Sequence, residues 1–328
     1  MVEGDVNYMG ILSKKDIVKR IIIGEELIYT WLLQREKLGM DVETEIRALK
    51  DLLYEYVKEK NGKEKEKKLS EYFRKIGLNN KVLKIRRTAI RKIVEEFFLN
   101  QKEDNMAQEI EKFLKYGKNE GKPKIYEDCK VLPIFIDNPD YNCLRGANYD
   151  LRLGEDVYVT TEKVPKKLTV MGADGVVSIE PGEFGILMAH EYIFVPPDLM
   201  GFISIRLTFK QKGLVNISGF HVDPGFYGRL MFAVFNSGPN DIPLRFNERV
   251  FMIMFNKLTE QAKVEKSTWH GMETIPIETM FGLRGTSVSV RNLDERVKRL
   301  ELLFPVVLTG IVSVVVAVIA WVLTHWRW

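Results

Sequence analysis

Two short segments hold most of the side chains suited to chemistry. Residues 146–154 read GANYDLRLG and carry Asp150 within an alternating run. Residues 202–235 read FISIRLTFKQKGLVNISGFHVDPGFYGRLMFAVF and carry Arg206, Thr208, His221 and Asp223, followed by Gly225 and Gly228. A guanidinium and a hydroxyl bind oxyanions, a carboxylate orients or activates water, and glycines let the backbone come close to a ligand. Each residue also has a plain structural reading. Asp223-Pro224-Gly225 is a turn sequence in any β protein, Asp150 can turn a strand end, and Arg206 can be a structural ion-pair partner. No Cys/His spacing has the form of a zinc site: His190, His221, His270 and His325 are scattered, as are Cys129 and Cys143.

These residues must be positioned by a β framework. Short apolar or alternating runs at 157–161, 184–189, 193–195, 202–205, 230–235 and 250–255 are punctuated by Pro181-Gly182, Pro196-Pro197, Pro224-Gly225 and Gly238-Pro239. That spacing predicts a barrel or sandwich over residues 131–285. Residues 10–120 read instead as α. Over 81–99 the pattern puts Val82, Ile85, Ala89, Ile93 and Phe97 on one face and Lys84, Arg87 and Arg91 on another. Residues 58–68 are charged enough to be a solvated helix or a linker. The 328 residues leave room for one sizeable core plus a further module.

The two segments, in their order, resemble the nucleotide-binding motifs of the dCTP deaminase/dUTPase family, and MGILSKKDI at 9–17 resembles the opening of dCTP deaminases. The resemblance covers about 130 contiguous residues and implies a homotrimer that binds a deoxynucleoside triphosphate. It implies that Asp150 organises the site and, indirectly, the Mg2+ carried by the phosphates. Arg206 and Thr208 would cradle phosphate oxygens, and the hairpin from His221 to Gly228 would cup base and sugar, with Asp223 orienting water. The chain departs from the family elsewhere. The general base for deamination is a glutamate ten residues after the third-motif aspartate; here that position is Ala233, and no methyl group transfers a proton. Leu207 replaces a serine, Met252 replaces the glutamine of the fourth motif, and the glycine-rich lid has only Phe281-Gly282-Leu283-Arg284-Gly285-Thr286 in its place. Diphosphatase chemistry does not need the missing glutamate, so Asp150, Arg206 and Asp223 would suffice for it in outline. The function expected is a nucleotide sensor or trimeric scaffold with a degenerate site. The alternative is an active enzyme of deoxypyrimidine nucleotide metabolism, a dUTP diphosphatase ahead of a dCTP deaminase.

Two further features stand apart from the motifs. Residues 58–92 hold 14 Lys/Arg against 4 Asp/Glu in a chain whose overall charge is only +4. The default reading is a solvated face; anionic lipid is the next, ahead of nucleic acid, for which 69–98 resembles a helix-turn-helix. From Leu302 to Thr324 there are 23 residues without a charge, long enough to cross a bilayer core of ~30 Å, with Trp321, Trp326 and Trp328 where an aromatic belt would lie. Arg291, Arg296, Lys298 and Arg299 precede the span and only Arg327 follows it, which keeps the bulk of the protein cytoplasmic. The two cysteines and the charged N-terminus also suit a reducing interior. Val290, Leu293, Val297, Leu300, Phe304 and Val307 read equally as a short heptad seam leading into the membrane, which alone would lean to a dimer where the resemblance implies a trimer, or as one face of an ordinary juxtamembrane helix. The fold class expected is therefore α+β: a dUTPase-like β-barrel/β-clip domain with an inserted all-α module and a C-terminal transmembrane helix. The expected divisions are an N-terminal element of the deaminase-like domain at 1–30, a basic helical insertion at 31–130, the β domain at 131–285, a short coiled coil at 286–301 and the membrane helix at 302–324.

Overall fold

The computed structural model describes residues 10–34, 40–99, 131–160, 175–264, 271–282 and 290–326, with isolated positions at 108–114 and 166–167. Met9, Cys129, His270, residues 283–286, Arg327 and Trp328 lie outside the described residues. The first described residues lie on the β domain: Ile11 bridges Asn256, and the Leu12 amide donates to the Phe255 carbonyl at 2.8 Å. It then leaves through four helices, α1 (Lys14–Gln34), α2 (Met40–Lys58), α3 (Gly62–Gly77) and α4 (Asn80–Val94), the last continuing into a π-helical turn at Glu95–Leu99. The helices are thus an insertion between the N-terminal bridge and the rest of the β domain.

The chain returns to the sheet at β1 (Phe135–Ile136), then β2 (Tyr149–Val159), β3 (Lys166–Lys167), β4 (Val176–Ile179), β5 (Phe184–Phe194) and β6 (Leu199–Ile205). A one-turn helix α5 (Leu207–Lys210) leads to β7 (Leu214–Asn216), β8 (His221–Val222), β9 (Tyr227–Asn236), β10 (Ile242–Arg245) and β11 (Arg249–Lys257). The main sheet runs β7-β9-β5-β2-β11-β6-β8, with β1 added on β5 and β3 on β2; β4 and β10 pair separately. Every pairing is antiparallel. Phe232 of β9 and Phe251 of β11 stack at 3.8 Å inside it. The architecture is α+β, a curled antiparallel sheet with inserted helices and an apolar C-terminal helix.

Local differences from the sequence pattern have physical causes. The runs at 184–189 and 193–195 are one strand, because a register shift between Met188 and Tyr192 takes up the break that alternation suggests. The run at 157–161 is the end of β2, which begins at Tyr149 and is buried almost throughout. Both faces of β5 are covered as well: Ile275 packs with Tyr158, Ile186 and Met188 on one, and Leu187, Ala189 and Ile193 lie in the main core on the other.

The helices are started by side-chain caps. Asn61 accepts from the Lys63 amide, and Asn79 from the amides of Lys81 and Val82. α1 is buried from Ile17 to Leu32 but for Lys19 and Glu26, with the charged Arg20 and Glu25 buried among its apolar side chains. The face of α4 is rotated from the sequence reading: Arg86 and Ile90 are buried, while Ile85 is only half-buried. Arg86 is fully buried because it meets carboxylates there. It donates to Glu25 on α1 and lies 3.6 Å from Asp137, just beyond β1. Tyr72 donates to the second oxygen of Glu25 at 2.7 Å, and Arg87 donates to Asp137 at 2.7 Å. A second tie, bidentate, joins Arg20 of α1 to Asp198 between β5 and β6 at 3.1 and 2.7 Å. One hydrophobic core therefore runs from Ile17 on α1 to Phe255 on β11.

After α6 (Ile277–Gly282) the described chain ends in α7 (Val290–His325), a continuous helix with Pro305 inside it. Its segment Arg296–His325 is long and apolar enough to cross a membrane, and none of it is buried against the rest of the chain. Replacing Arg86 by Met leaves Glu25 and Asp137 buried without their shared cation. The expected loss is about 3–5 kcal/mol in chemical denaturation, against less than about 1 kcal/mol for the exposed Lys81→Met.

Candidate nucleotide site

Asp150 sits on β2 where the strand leaves the loop at 144–148, and its side chain is only 4% exposed. Burying a carboxylate requires partners, and the loop supplies two of them: the Asn148 amide donates at 2.9 Å and the Arg145 guanidinium at 3.3 Å. The third is Arg206, whose Nε lies 3.3 Å from the same carboxylate and whose Nη1 donates to the Arg249 carbonyl at 3.0 Å. Arg206 caps the start of α5 through its backbone, so Leu207 and Thr208 stand in the first turn of that helix, both exposed. Met252 on β11 lies directly opposite both Asp150 and Ser204 in the sheet.

The second cluster lies on β8 and the turn that follows. Asp223 is 57% exposed, and its carboxylate is 3.5 Å from His221 Nε2. The turn is fixed by main-chain bonds, Gly225 N to Val195 O at 2.7 Å and Phe226 N to Asp223 O at 3.2 Å. Gly225 takes a positive φ of 84°, and a Cβ there would strike Val264, so the turn requires glycine. Gly228 is pressed against Gly271, where any Cβ would meet backbone. The segment 271–273 is held there by Gly271 N to Tyr227 O at 2.8 Å and by Arg229 Nη1 to the Glu273 carbonyl at 3.0 Å.

A cavity of about 230 Å³ opens between these parts, lined by Ser218, Gly219, His221, Phe226, Met231 and Met272, among others. β8 is the last strand in the sheet order, so one of its edges has no partner strand among the described residues. Such an edge presents backbone donors and acceptors to whatever lies beside it. Ala233 shares the face of β9 with Met231, and its own carbonyl accepts from the Ile217 amide at 2.9 Å.

The structure thus brings Asp150 together with Arg206, and His221 with Asp223. Among the described residues neither a hydrogen bond nor an ion pair joins the two groups. Arg145 and Asn148 were missed in the sequence, where nothing but their nearness to Asp150 marks them. Other reactive groups are silenced by burial. The Cys143 thiol is pushed up to about 12, and burial with nearby arginines holds His190 down to about 3, so its imidazole is neutral. No group of three His, Cys, Asp or Glu is placed to hold a metal among the described residues, and both Asp150 oxygens already accept from protein donors.

Residues 130–258 match the family described as dCTP deaminase-like. The chain is 32% identical over 130 residues to a dCTP deaminase of Thermococcus sibiricus and 34% identical over 130 residues to one of Thermococcus kodakarensis, in each case covering 40% of this chain and 80% of the relative. Among solved structures it is similar to a 2′-deoxycytidine 5′-triphosphate deaminase from Agrobacterium tumefaciens, at 17% identity and a TM-score of 0.29, covering 36% of this chain and 42% of the other. The chain belongs to the dCTP deaminase family, and its β domain is a dCTP deaminase/dUTPase-like domain of nucleotide metabolism.

Because three donors share the Asp150 carboxylate, removing the acceptor costs more than removing one donor. Asp150→Ala is expected to destabilise by about 2–4 kcal/mol and Arg206→Ala by about 1 kcal/mol. Equal melting temperatures for the two variants in differential scanning calorimetry would show that the carboxylate is not the hub.

Proposed function

We propose that this protein is a membrane-anchored, trimeric nucleotide sensor or scaffold that binds a deoxypyrimidine nucleoside triphosphate without deaminating it. The observation that carries this reading is Ala233, which stands where the deaminating members place their general base. Leu207 is 65% exposed in place of a second catalytic side chain, and Met252 brings a thioether beside Asp150 in place of an amide. What remains is suited to binding. Arg206 and Thr208 are the phosphate-holding groups, His221, Gly225 and Gly228 shape the base-and-sugar hairpin, and Mg2+ would arrive on the phosphates.

The trimer in this reading buries apolar side chains that a single chain leaves in water. Ile217 and Phe220 are 53% and 66% exposed, and Phe220 stacks on Phe202 with ring planes 2° apart. A free surface seldom carries such a group. The heptad seam from Val290 to Val307 continues without a break into the apolar part of α7, which suits a coiled coil ending at the membrane. The basic surface of the helices then faces solvent or anionic lipid, with nucleic acid the weaker fit because the buried Arg86 takes one of its cations out of reach.

One observation favours an active diphosphatase as the second reading: Asp223 is open to solvent, as a water-orienting carboxylate must be, and pairs with His221, which lines the cavity. Full-length protein in nanodiscs is incubated with dCTP, dUTP and Mg2+, with product analysis and thermal stability read on the same samples. The sensor reading expects a rise in melting temperature without product. Release of dUMP and pyrophosphate, lost in Asp223→Asn, would replace it with the enzyme. For the anchor, deletion of residues 302–328 is expected to move the protein from the membrane pellet to the supernatant; continued sedimentation would assign the contact to the basic helices.

A further inference from the structure

The helical insertion creates a cleft where it meets the β domain. Its walls are the first turns of α1 and α3, the end of α2 and the 3-10 turn Tyr141–Cys143, and its volume is about 780 Å³. Four lysines line it, Lys14, Lys15 and Lys19 on one wall and Lys65 on the other, against two carboxylates. One of these, Asp16, is engaged by the Ser13 hydroxyl at 2.7 Å and serves the start of α1.

Two lysines are held in place by aromatic rings. Lys14 Nζ donates to the Tyr141 hydroxyl at 2.9 Å and lies 4.5 Å from that ring's centroid, with Glu66 at 3.5 Å. Lys65 lies over the ring of Tyr56 at 5.0 Å. Burial pushes the Tyr56 hydroxyl up to about 12, so it is a neutral donor or acceptor and adds no negative charge at neutral pH. An ammonium carries three N–H donors, so both lysines keep donors for a ligand. Because both rings already have a cation on one face, the cleft is a poor stacking platform for a nucleobase. Point-charge ammonium groups on two opposed walls suit a ligand with phosphates at both ends.

We propose that this cleft binds a polyphosphorylated polyol, either free in solution or as the headgroup of an anionic lipid. The site depends on the inserted helices, which supply its second wall through Tyr56, Lys65 and Glu66. The Thermococcus sibiricus relative, 80% of which is 130 residues, has about 160 residues in all and no room for four added helices beside the β domain. It is independent of whether the nucleotide site turns over.

Full-length protein in phosphatidylcholine nanodiscs is titrated with fluorescently labelled inositol hexakisphosphate, for wild type and two double variants. Lys15→Gln/Lys65→Gln removes one cation from each wall. Lys81→Gln/Lys84→Gln removes as many from the exposed face of α4. The expected result is affinity weakened about tenfold or more by the first pair and less than about twofold by the second, with both variants melting as wild type does. Equal weakening by the two pairs, or no binding by wild type, overturns the proposal in favour of diffuse charge. A second arm places phosphatidylinositol 4,5-bisphosphate in the same nanodiscs. Displacement of the labelled probe assigns the cleft to a lipid headgroup; undiminished probe binding assigns it to a soluble polyphosphate.

Discussion

The charge cluster of Glu25, Arg86 and Asp137 is the constraint on which the rest of this architecture rests. It draws one residue from α1, one from α4 and one from the end of β1, all nearly inaccessible to water. Charges in such a place are costly unless each faces its partner, so the helices have few ways to sit on the sheet. A small tilt of α4 would separate Arg86 from one carboxylate or the other in a medium that screens poorly. Tyr72, Tyr29 and Arg87 extend the cluster to α3 and to the sheet surface, with Arg87 lying 4.2 Å over the Tyr192 ring. The insertion is thereby a second layer of the β domain and shares its core.

That arrangement explains which parts of the nucleotide site could change. Among the described residues, the helices cover the side of the domain formed by β1 and β5 and leave His221 and the turn at Asp223 exposed. On the uncovered side, Asp150 and Arg206 have a structural duty as well as a possible ligand. A buried carboxylate held by three donors cannot be lost without leaving two guanidinium groups unpaired. Position 233 has no such duty, because its backbone alone makes the bond to Ile217 and its side chain is only half-buried. Survival of Asp150 and Arg206 therefore says less about activity than loss of the base at 233 does.

The β domain was legible because its information is local. Alternation, Pro-Gly turns and the short motifs GANYDLRLG and HVDPGFYG each act over ten residues or fewer, and they mark the strand that carries Asp150 and the turn that carries Asp223. The runs 184–189 and 193–195 stand apart in the sequence because a bulge interrupts alternation as the end of a strand does. The burial of Arg86 was not legible. Within a run of 14 basic residues nothing distinguishes the one that faces two carboxylates, 61 positions before it and 51 after it in sequence. The same holds for Lys14 and Tyr141, which meet across 127 residues. Pairings of that range appear only once the insertion has been placed on the sheet, and they decide the face of α4 and the shape of the cleft.

Anchoring, under the proposed function, changes what counts as a useful affinity. A helix continuous from Val290 through Pro305 to His325 would hold the folded part close to one leaflet. Ligands in that leaflet then meet the protein at an effective concentration of the order of millimolar. Each lysine near an anionic surface contributes only about 1 kcal/mol, too little for tight capture from solution. Three chains side by side would present three such clefts and three basic faces to the same membrane, and their weak contacts would add. Under those conditions a lysine-lined cleft with modest intrinsic affinity can set how the trimer sits on the bilayer, while the uncovered face of the sheet stays open to soluble nucleotide. The rigid coupling through Arg86 matters here, because a loosely tethered insertion could bind the membrane without orienting the domain it belongs to.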